Sequence, residues 1–276
     1  MRQHFPFPGG LCKGVAASAS IAAALLLPVS SARAIDHDNI DAGRPLSFDD
    51  AEAIAFRERA LEVGFGLTSP YRRSGLGLGL SAEYLYGFRV NSHYSIDFNP
   101  SVGSRSESGD RRFDAGNVGI GLFHNLNRET LARPAFAVRA DAYLPTGREA
   151  SGIGFRLRGV MSRTFNQYGR LHVNADLNVQ TSAGSGNRSI LPAVTLGISR
   201  PLGYPTSFSQ TGVVELGARA SQENGRGAVL YTGVGLRRQV TVRSVLDFGV
   251  QSDFAATKSG ASRDNLRIVG GYSTQF

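Results

Sequence analysis

Residues 171 to 180 read Leu-His-Val-Asn-Ala-Asp-Leu-Asn-Val-Gln. Leu171, Val173, Ala175, Leu177 and Val179 alternate without exception with His172, Asn174, Asp176, Asn178 and Gln180. Successive side chains of an extended chain leave on opposite sides, whereas a helix would mix the two kinds around its axis. The stretch is therefore a strand with one greasy face and one wet face. A one-residue slip in its pairing would exchange the two, so its register is tightly specified.

The same period recurs along most of the chain. Leu61, Val63, Phe65 and Leu67 oppose Glu62, Gly64 and Gly66, and Leu76 to Phe88 alternates with Gly77, Gly79, Ser81 and Glu83. Tyr94, Ile96 and Phe98 oppose His93, Ser95, Asp97 and Asn99, followed by Val118, Ile120 and Leu122 against Asn117, Gly119 and Gly121. Phe136 to Leu144 alternates with Arg139, Asp141 and Tyr143, and Ile153 to Met161 with Arg156, Arg158 and Ser162. After the 171–180 strand come segments centred on Leu196, Leu216, Val234 and Phe248, whose other faces include Thr195, Glu215, Arg219, Asp247 and Gln251. The last, Leu266 to Phe276, sets Leu266, Ile268, Tyr272 and Phe276 against Arg267, Val269 and Ser273. The count is twelve strands, an even number that keeps both chain ends on one side of a membrane.

The connections fall into two kinds. Thr68 to Gly75, Gly103 to Arg112, Pro145 to Gly152, Ser182 to Ser189, Gln222 to Gly227 and Ala256 to Asn265 are rich in Gly, Ser, Asp and Arg. The alternate turns, such as Asn166-Gln-Tyr-Gly169 and Gly203-Tyr-Pro-Thr206, have aromatics nearby that suit an interfacial girdle. The first set is expected outside and the second in the periplasm.

A soluble β-sandwich also alternates, so period alone does not separate it from a closed barrel. The front of the chain bears on the choice. Arg2 and Lys13 precede the apolar run Val15 to Val29, and Ala32-Arg33-Ala34 has the small-x-small form of a cleavage site, so residues 1–34 read as a secretory signal peptide. Cys12, the one cysteine, lies inside that signal. A mature chain without cysteine excludes disulfides, thiolate catalysis and cysteine-ligated metal. Removing Arg2, Lys13 and Arg33 lowers the formal charge from +8 to +5, and Lys258 is then the one lysine. Arg72, Arg73, Arg105, Arg111, Arg112, Arg148, Arg188 and Arg226 cluster in Gly/Ser/Asn-rich loops, with no basic helix and no nucleic-acid-binding signature, so nucleic acid is not an expected partner. Signal, missing cysteine, terminal phenylalanine and lysine-poor strands favour the barrel. Its greasy faces then meet lipid, and its wet faces line a polar interior.

Between signal and first strand, residues 35–57 are polar and mixed. Ser47 followed by Asp50 has the form of a capping box, with Ala51, Ile54 and Ala55 on one face of a short helix. An extended periplasmic leader is an equal reading, and either could cover or plug the mouth of a barrel spanning 58–276.

The ending on Tyr272 and Phe276 resembles the terminal assembly signal of bacterial outer-membrane barrels. Gly43-Arg-Pro-Leu-Ser-Phe-Asp-Asp-Ala51 leading into Leu61-Glu-Val-Gly, with Pro134-Ala-Phe-Ala-Val138 and Leu144-Pro-Thr-Gly147, resembles the outer-membrane barrels grouped with the MetA-pathway of phenol degradation proteins. That resemblance implies location, fold and a transporter-like role, and supplies no catalytic residues.

Barrels of this size include lipid hydrolases, which need a serine beside a histidine base. His37, His93, His124 and His172 follow the signal, and none lies in a Gly-x-Ser-x-Gly context. His172 and Asp176 share a face but stand roughly 13 Å apart by strand rise, too far to chelate one ion. The run Gly75-Leu-Gly-Leu-Gly79 lacks the following helix of a phosphate loop; glycine at alternate inward positions makes room in a barrel instead.

The expectation is thus an all-β chain, a single antiparallel transmembrane barrel of about twelve strands in the outer membrane, acting as a passive channel or transporter for small solutes, hydrophobic or aromatic ones included. A non-conducting structural barrel and a lipid-modifying enzyme are the alternatives. Glu83, Asp97, Arg139, Asp141, Arg156, Arg158, His172, Asp176, Glu215, Arg219, Asp247 and Arg267 are the candidate lumen-lining residues. Acids and bases nearly balance among them, so no strong ion selectivity follows. Expected partners are outer-membrane lipid, lipopolysaccharide, the barrel assembly machinery and a small solute, with no metal or other cofactor.

Overall fold

A computed structural model of the protein describes residues 44–71, 75–104, 111–147, 152–166, 168–203, 206 and 209–276. The expected signal peptide, the first part of the 35–57 leader and several loop arginines, Arg72, Arg73, Arg105 and Arg148 among them, lie outside the described residues.

Fourteen strand segments form one antiparallel sheet among the described residues. They are β1 (Arg59–Pro70), β2 (Gly77–Arg89), β3 (Ser92–Phe98), β4 (Ser101–Ser104), β5 (Arg111–Asp114), β6 (Val118–Asn127) and β7 (Ala135–Leu144), then β8 (Gly154–Phe165), β9 (Gly169–Gln180), β10 (Ile190–Pro201), β11 (Gln210–Ala220), β12 (Ala228–Thr241), β13 (Ser244–Ala256) and β14 (Asp264–Gln275). The sheet closes on itself, because β1 pairs with both β2 and β14. Val63 stands opposite Tyr272 and Phe65 opposite Gly270 along that seam.

The barrel has twelve staves, since β4 and β5 continue β3 and β6 past two interruptions. The first break is at Asn99–Pro100, where proline supplies no N–H to the ladder, although its carbonyl still accepts from the Leu80 N–H at 2.8 Å. The second is at Gly116, which has φ of +73° and is packed so closely on Asn99 that a Cβ would strike the Asn99 backbone. The 103–112 stretch expected to be loop is therefore partly a hairpin, with Ser101 to Ser104 paired to Asp114 to Arg111.

The alternation seen in the sequence becomes the two faces of this wall. Outside, Leu80, Ile120, Leu157, Leu196, Leu216 and Phe248 are each about half exposed or more, beside many like them. Exposing each to water would forfeit roughly 1.5–3 kcal/mol of burial, and a continuous belt of such side chains is the surface a lipid environment stabilises. Near the end carrying the short turns, Tyr86 packs on Tyr94 at 5.5 Å and Phe88 on Tyr94 at 6.2 Å. Both β1's start and β14's end lie at this same short-turn end.

Residues 44 to 58 form no helix. They run inside the barrel as an irregular strap, bent over residues 44–47 and at 51, reaching β1 and β14 through Arg44, β12 and β13 through Pro45, and β11 through Ser47. Phe48 and Asp49 then meet β9 and β10, Ala51 meets β8 and β6, and Ile54 meets β3. Arg57 donates to the Gly87 carbonyl of β2 at 2.6 Å, which completes the circuit of the inner wall. The capping-box reading fails for a physical reason: the Ala51 N–H reaches Ser162 Oγ at 3.0 Å, and the Asp49 N–H reaches Asn174 Oδ1 at 2.8 Å. Wall side chains satisfy the backbone groups that a helix would have paired internally.

The core clusters form where the strap meets inward apolar residues. Leu46, Phe48 and Val213 pack together, as do Ala51, Phe123, Ala135, Ala137 and Val160, and as do Ile54, Ala60 and Leu85. The inner wall is thus apolar in patches towards the short-turn end, with charged pairs such as Arg237 and Asp247 beside them and others farther up the bore.

Candidate functional site: the barrel lumen

One row of directly paired residues shows how the wall accepts the strap. His172, Gly197, Glu215, Gly233, Gln251 and Arg267 stand side by side across β9 to β14. Glycine takes alternate places in β10 and β12. Phe48 lies against Gly197 and Leu46 against Gly233, where any Cβ would collide with them. The polar members between them hold the strap: Glu215 accepts from the Ser47 N–H at 2.9 Å and from Gln251 Nε2 at 2.8 Å, and Phe48 stacks on His172 at 5.0 Å.

The charged candidates are engaged partly by one another and partly by other lumen residues, within a strand, between neighbouring strands or across intervening ones. Arg139 donates to Glu83 and Asp141, each at 2.8 Å, and to Ser95 Oγ at 3.3 Å. Arg156 takes the second oxygen of Asp141 at 2.8 Å. Arg139 and Arg158 are direct neighbours in register, and their like charges are accommodated because Arg158 turns to other acids: Asp176 at 2.6 Å and Asp49 of the strap at 2.8 Å. Asp97 accepts from Asn99 at 2.6 Å. Arg219 binds Asp253 through two bonds of 2.9 and 2.6 Å and lies over the Tyr231 ring at 5.4 Å. Asp247 lies 3.3 Å from Arg237, and Arg267 donates to Asp264 at 3.0 Å and Gln251 at 3.4 Å.

These pairs differ in depth. The side chains of Arg139, Arg158 and Arg237 are nearly inaccessible, whereas Arg219 keeps 34% and Arg267 41% exposure. The exposed pair belongs to the long-loop half of the bore. There Ser47, Tyr231, Gln251 and Asp253 line a small cleft together with the two arginines.

His172 Nε2 and Ser199 Oγ lie 3.0 Å apart, Nδ1 lies 3.0 Å from Ser162 Oγ, and Asp50 Oδ1 stands 3.9 Å from Nδ1. Serine, histidine and aspartate are the components of a hydrolytic relay. Here His172 and Ser162 are wholly buried, and the Phe48 ring covers the imidazole face. With both ring nitrogens taken by serines under the strap, no reacting carbonyl has access; the arrangement anchors Phe48 and Asp50.

Several lumen residues were not singled out in the sequence. Tyr231 and Arg237 lie on the inward face of β12, and Asp253 continues the parity of Asp247 and Gln251, so extending each alternation by one or two residues finds them. Arg44, Asp49 and Asp50 had no comparable signal, because a bent strap without regular secondary structure carries no period that points to a partner.

No family model and no curated protein matches the chain by sequence. Solved structures do match. The chain is similar to the COG4313 outer membrane channel from Pseudomonas putida F1, with a TM-score of 0.66 and 13% identity over 86% of this chain and 100% of that one. It is also similar to the NanC porin, with a TM-score of 0.54 and 9% identity over 78% and 98% of the two chains. The β domain of the Bordetella autotransporter BrkA gives a TM-score of 0.50 at 11% identity over 79% and 99%. The fold is that of the outer-membrane β-barrels. At these identities the likeness is one of fold, and the lumen's chemistry rests on this chain's own residues.

Proposed function

We propose that the protein is a passive outer-membrane channel for small solutes, exported through its N-terminal signal and of the type grouped with the MetA-pathway barrels. The observation that carries this reading is the gradient of exposure inside the bore. Arg219 and Arg267 are open to water in the long-loop half, and the charged groups deeper down are sealed by the strap. Water therefore enters from one end, over a polar wall, as far as residues 44–51. The named channel and porin among the similar folds support the reading. In this orientation the long loops face outside, the short turns and strap face the periplasm, and the outer belt and its aromatic girdle contact lipid.

The strap also favours a second reading, a structural barrel that conducts nothing. Purified protein in planar bilayers separates the two. Discrete current steps are expected of the channel; silent bilayers together with no solute uptake in liposomes would establish the structural barrel.

A further inference from the structure

The inward glycines are of two kinds. At Gly197, Gly217, Gly233, Gly235, Gly249 and Gly271 a Cβ would run into a strap residue or an inward side chain, so these glycines make room for what fills the bore. Gly66, Gly77 and Gly79 differ. A Cβ there would find nothing nearer than 3.8 Å, and what it found would be the neighbouring strand's backbone or the Thr68 Cβ. Gly66 stands directly opposite Gly79, and Thr68 opposite Gly77, so the three form one bare patch on the inner face of β1 and β2.

That patch has a lower boundary. One step towards the short-turn end, Gly64 pairs with Ser81 and with Gly271, and there the Arg44 side chain lies against both glycines. Arg44 is held by Glu62, by the Val63 carbonyl at 2.8 Å, by the Tyr272 carbonyl at 3.3 Å and by Ser273 Oγ at 3.4 Å. The upper boundary is polar: Arg267 stands next to Thr68 across the seam.

We propose that small polar solutes cross the barrel along the glycine wall of β1 and β2, and that Arg44 of the strap is the gate at its lower end. The proposal rests on the channel reading and adds a route and a gate to it. A track without side chains leaves the widest space a barrel wall can offer, and a guanidinium held by four strap-independent wall groups can close it without rebuilding the barrel.

A single cysteine at each position tests it, in protein whose Cys12 is removed with the signal or replaced by serine. Gly79→Cys is compared with Gly159→Cys, whose Cβ points to the open outer face, and with Lys258→Cys on a long loop. The probe is a water-soluble cationic methanethiosulfonate, followed by mass shift and by single-channel current. Labelling of Gly79→Cys with loss of most of its current, no change for Gly159→Cys, and a larger current for Arg44→Ala are the expected results. A conducting protein whose current ignores complete labelling at residue 79, or whose residue 79 stays unlabelled while residue 258 reacts, would overturn the route alone. Silent bilayers from wild type and Arg44→Ala alike would overturn the channel reading and the route with it.

Discussion

Arg158 Nη1 donates to Asp49 Oδ2 at 2.8 Å while its Nε holds Asp176 Oδ1 at 2.6 Å, so one wall guanidinium clamps a strap carboxylate against a wall carboxylate. All three side chains are almost fully buried. Removing one partner of such a cluster leaves buried charge uncompensated, at a cost of about 3–5 kcal/mol. Arg158→Met is therefore expected to lower the thermal unfolding midpoint measured by circular dichroism, and Asp49→Asn to lower it less, since the amide oxygen still accepts from Arg158.

Pro45 lies so close to Gly249 that a Cβ on residue 249 would collide with its carbonyl. Gly249→Val should push the strap off β13 while leaving the ladder between β13 and its neighbours intact, because valine suits a strand. The expected outcome is an unchanged β-sheet spectrum with faster labelling of a cysteine placed at Ser47. An unaltered labelling rate would show that the strap's other anchors hold it without Pro45.

Glu223, in the connection after β11, receives hydrogen bonds from Ser221 and from both the hydroxyl and the N–H of Ser262 in the connection before β14. Slight burial raises its pKa, but these donors outweigh it and bring the carboxyl down to about 2. A depressed folded-state value means that the link between the two loops is fully present above the unfolded value, near 4.5, and is lost as pH falls towards 2. Amide exchange at residues 221–227 and 259–264, corrected for intrinsic rates, should rise over that window. In Glu223→Gln the rise should be absent.

The Phe276 N–H donates to the Arg59 carbonyl at 3.0 Å, the last backbone bond of the seam, and its ring is exposed on the outside. Tyr272 sits four residues back on the same face, opposite Val63. We predict that deleting Phe276 reduces the fraction of protein folded into membranes and leaves the unit conductance of the barrels that do assemble unchanged. Normal insertion of the truncated chain would remove the assembly role from this end.

The strands were legible because a barrel wall imposes one rule on every residue in it. His172 and Asp176 had to face away from Leu171 and Val173 wherever the strand was placed, and the same rule put Arg139, Arg158 and Glu215 inside. The two breaks at Pro100 and Gly116 were not legible as breaks within longer staves, since the pairing of Ser101 to Ser104 with Asp114 to Arg111 is a relation between segments. The strap was less legible still. Arg44 to Ala51 draws its conformation from Glu62, Glu215, Asn174, Ser162 and Arg158, which are spread over the rest of the chain.

By itself, then, the sequence determined the twelve-fold alternation, the closure of the last strand on the first, and which face of each strand is wet, because these follow from a period of two and from the need to satisfy every backbone group in lipid. Only the tertiary structure decided what the wet face meets. Gly79 and Gly233 occupy the same kind of inward position in the pattern, yet one fronts open space and the other is covered by Leu46. The reason is that the strap's path depends on ion pairs and hydrogen bonds between residues more than a hundred positions apart, which no local pattern encodes.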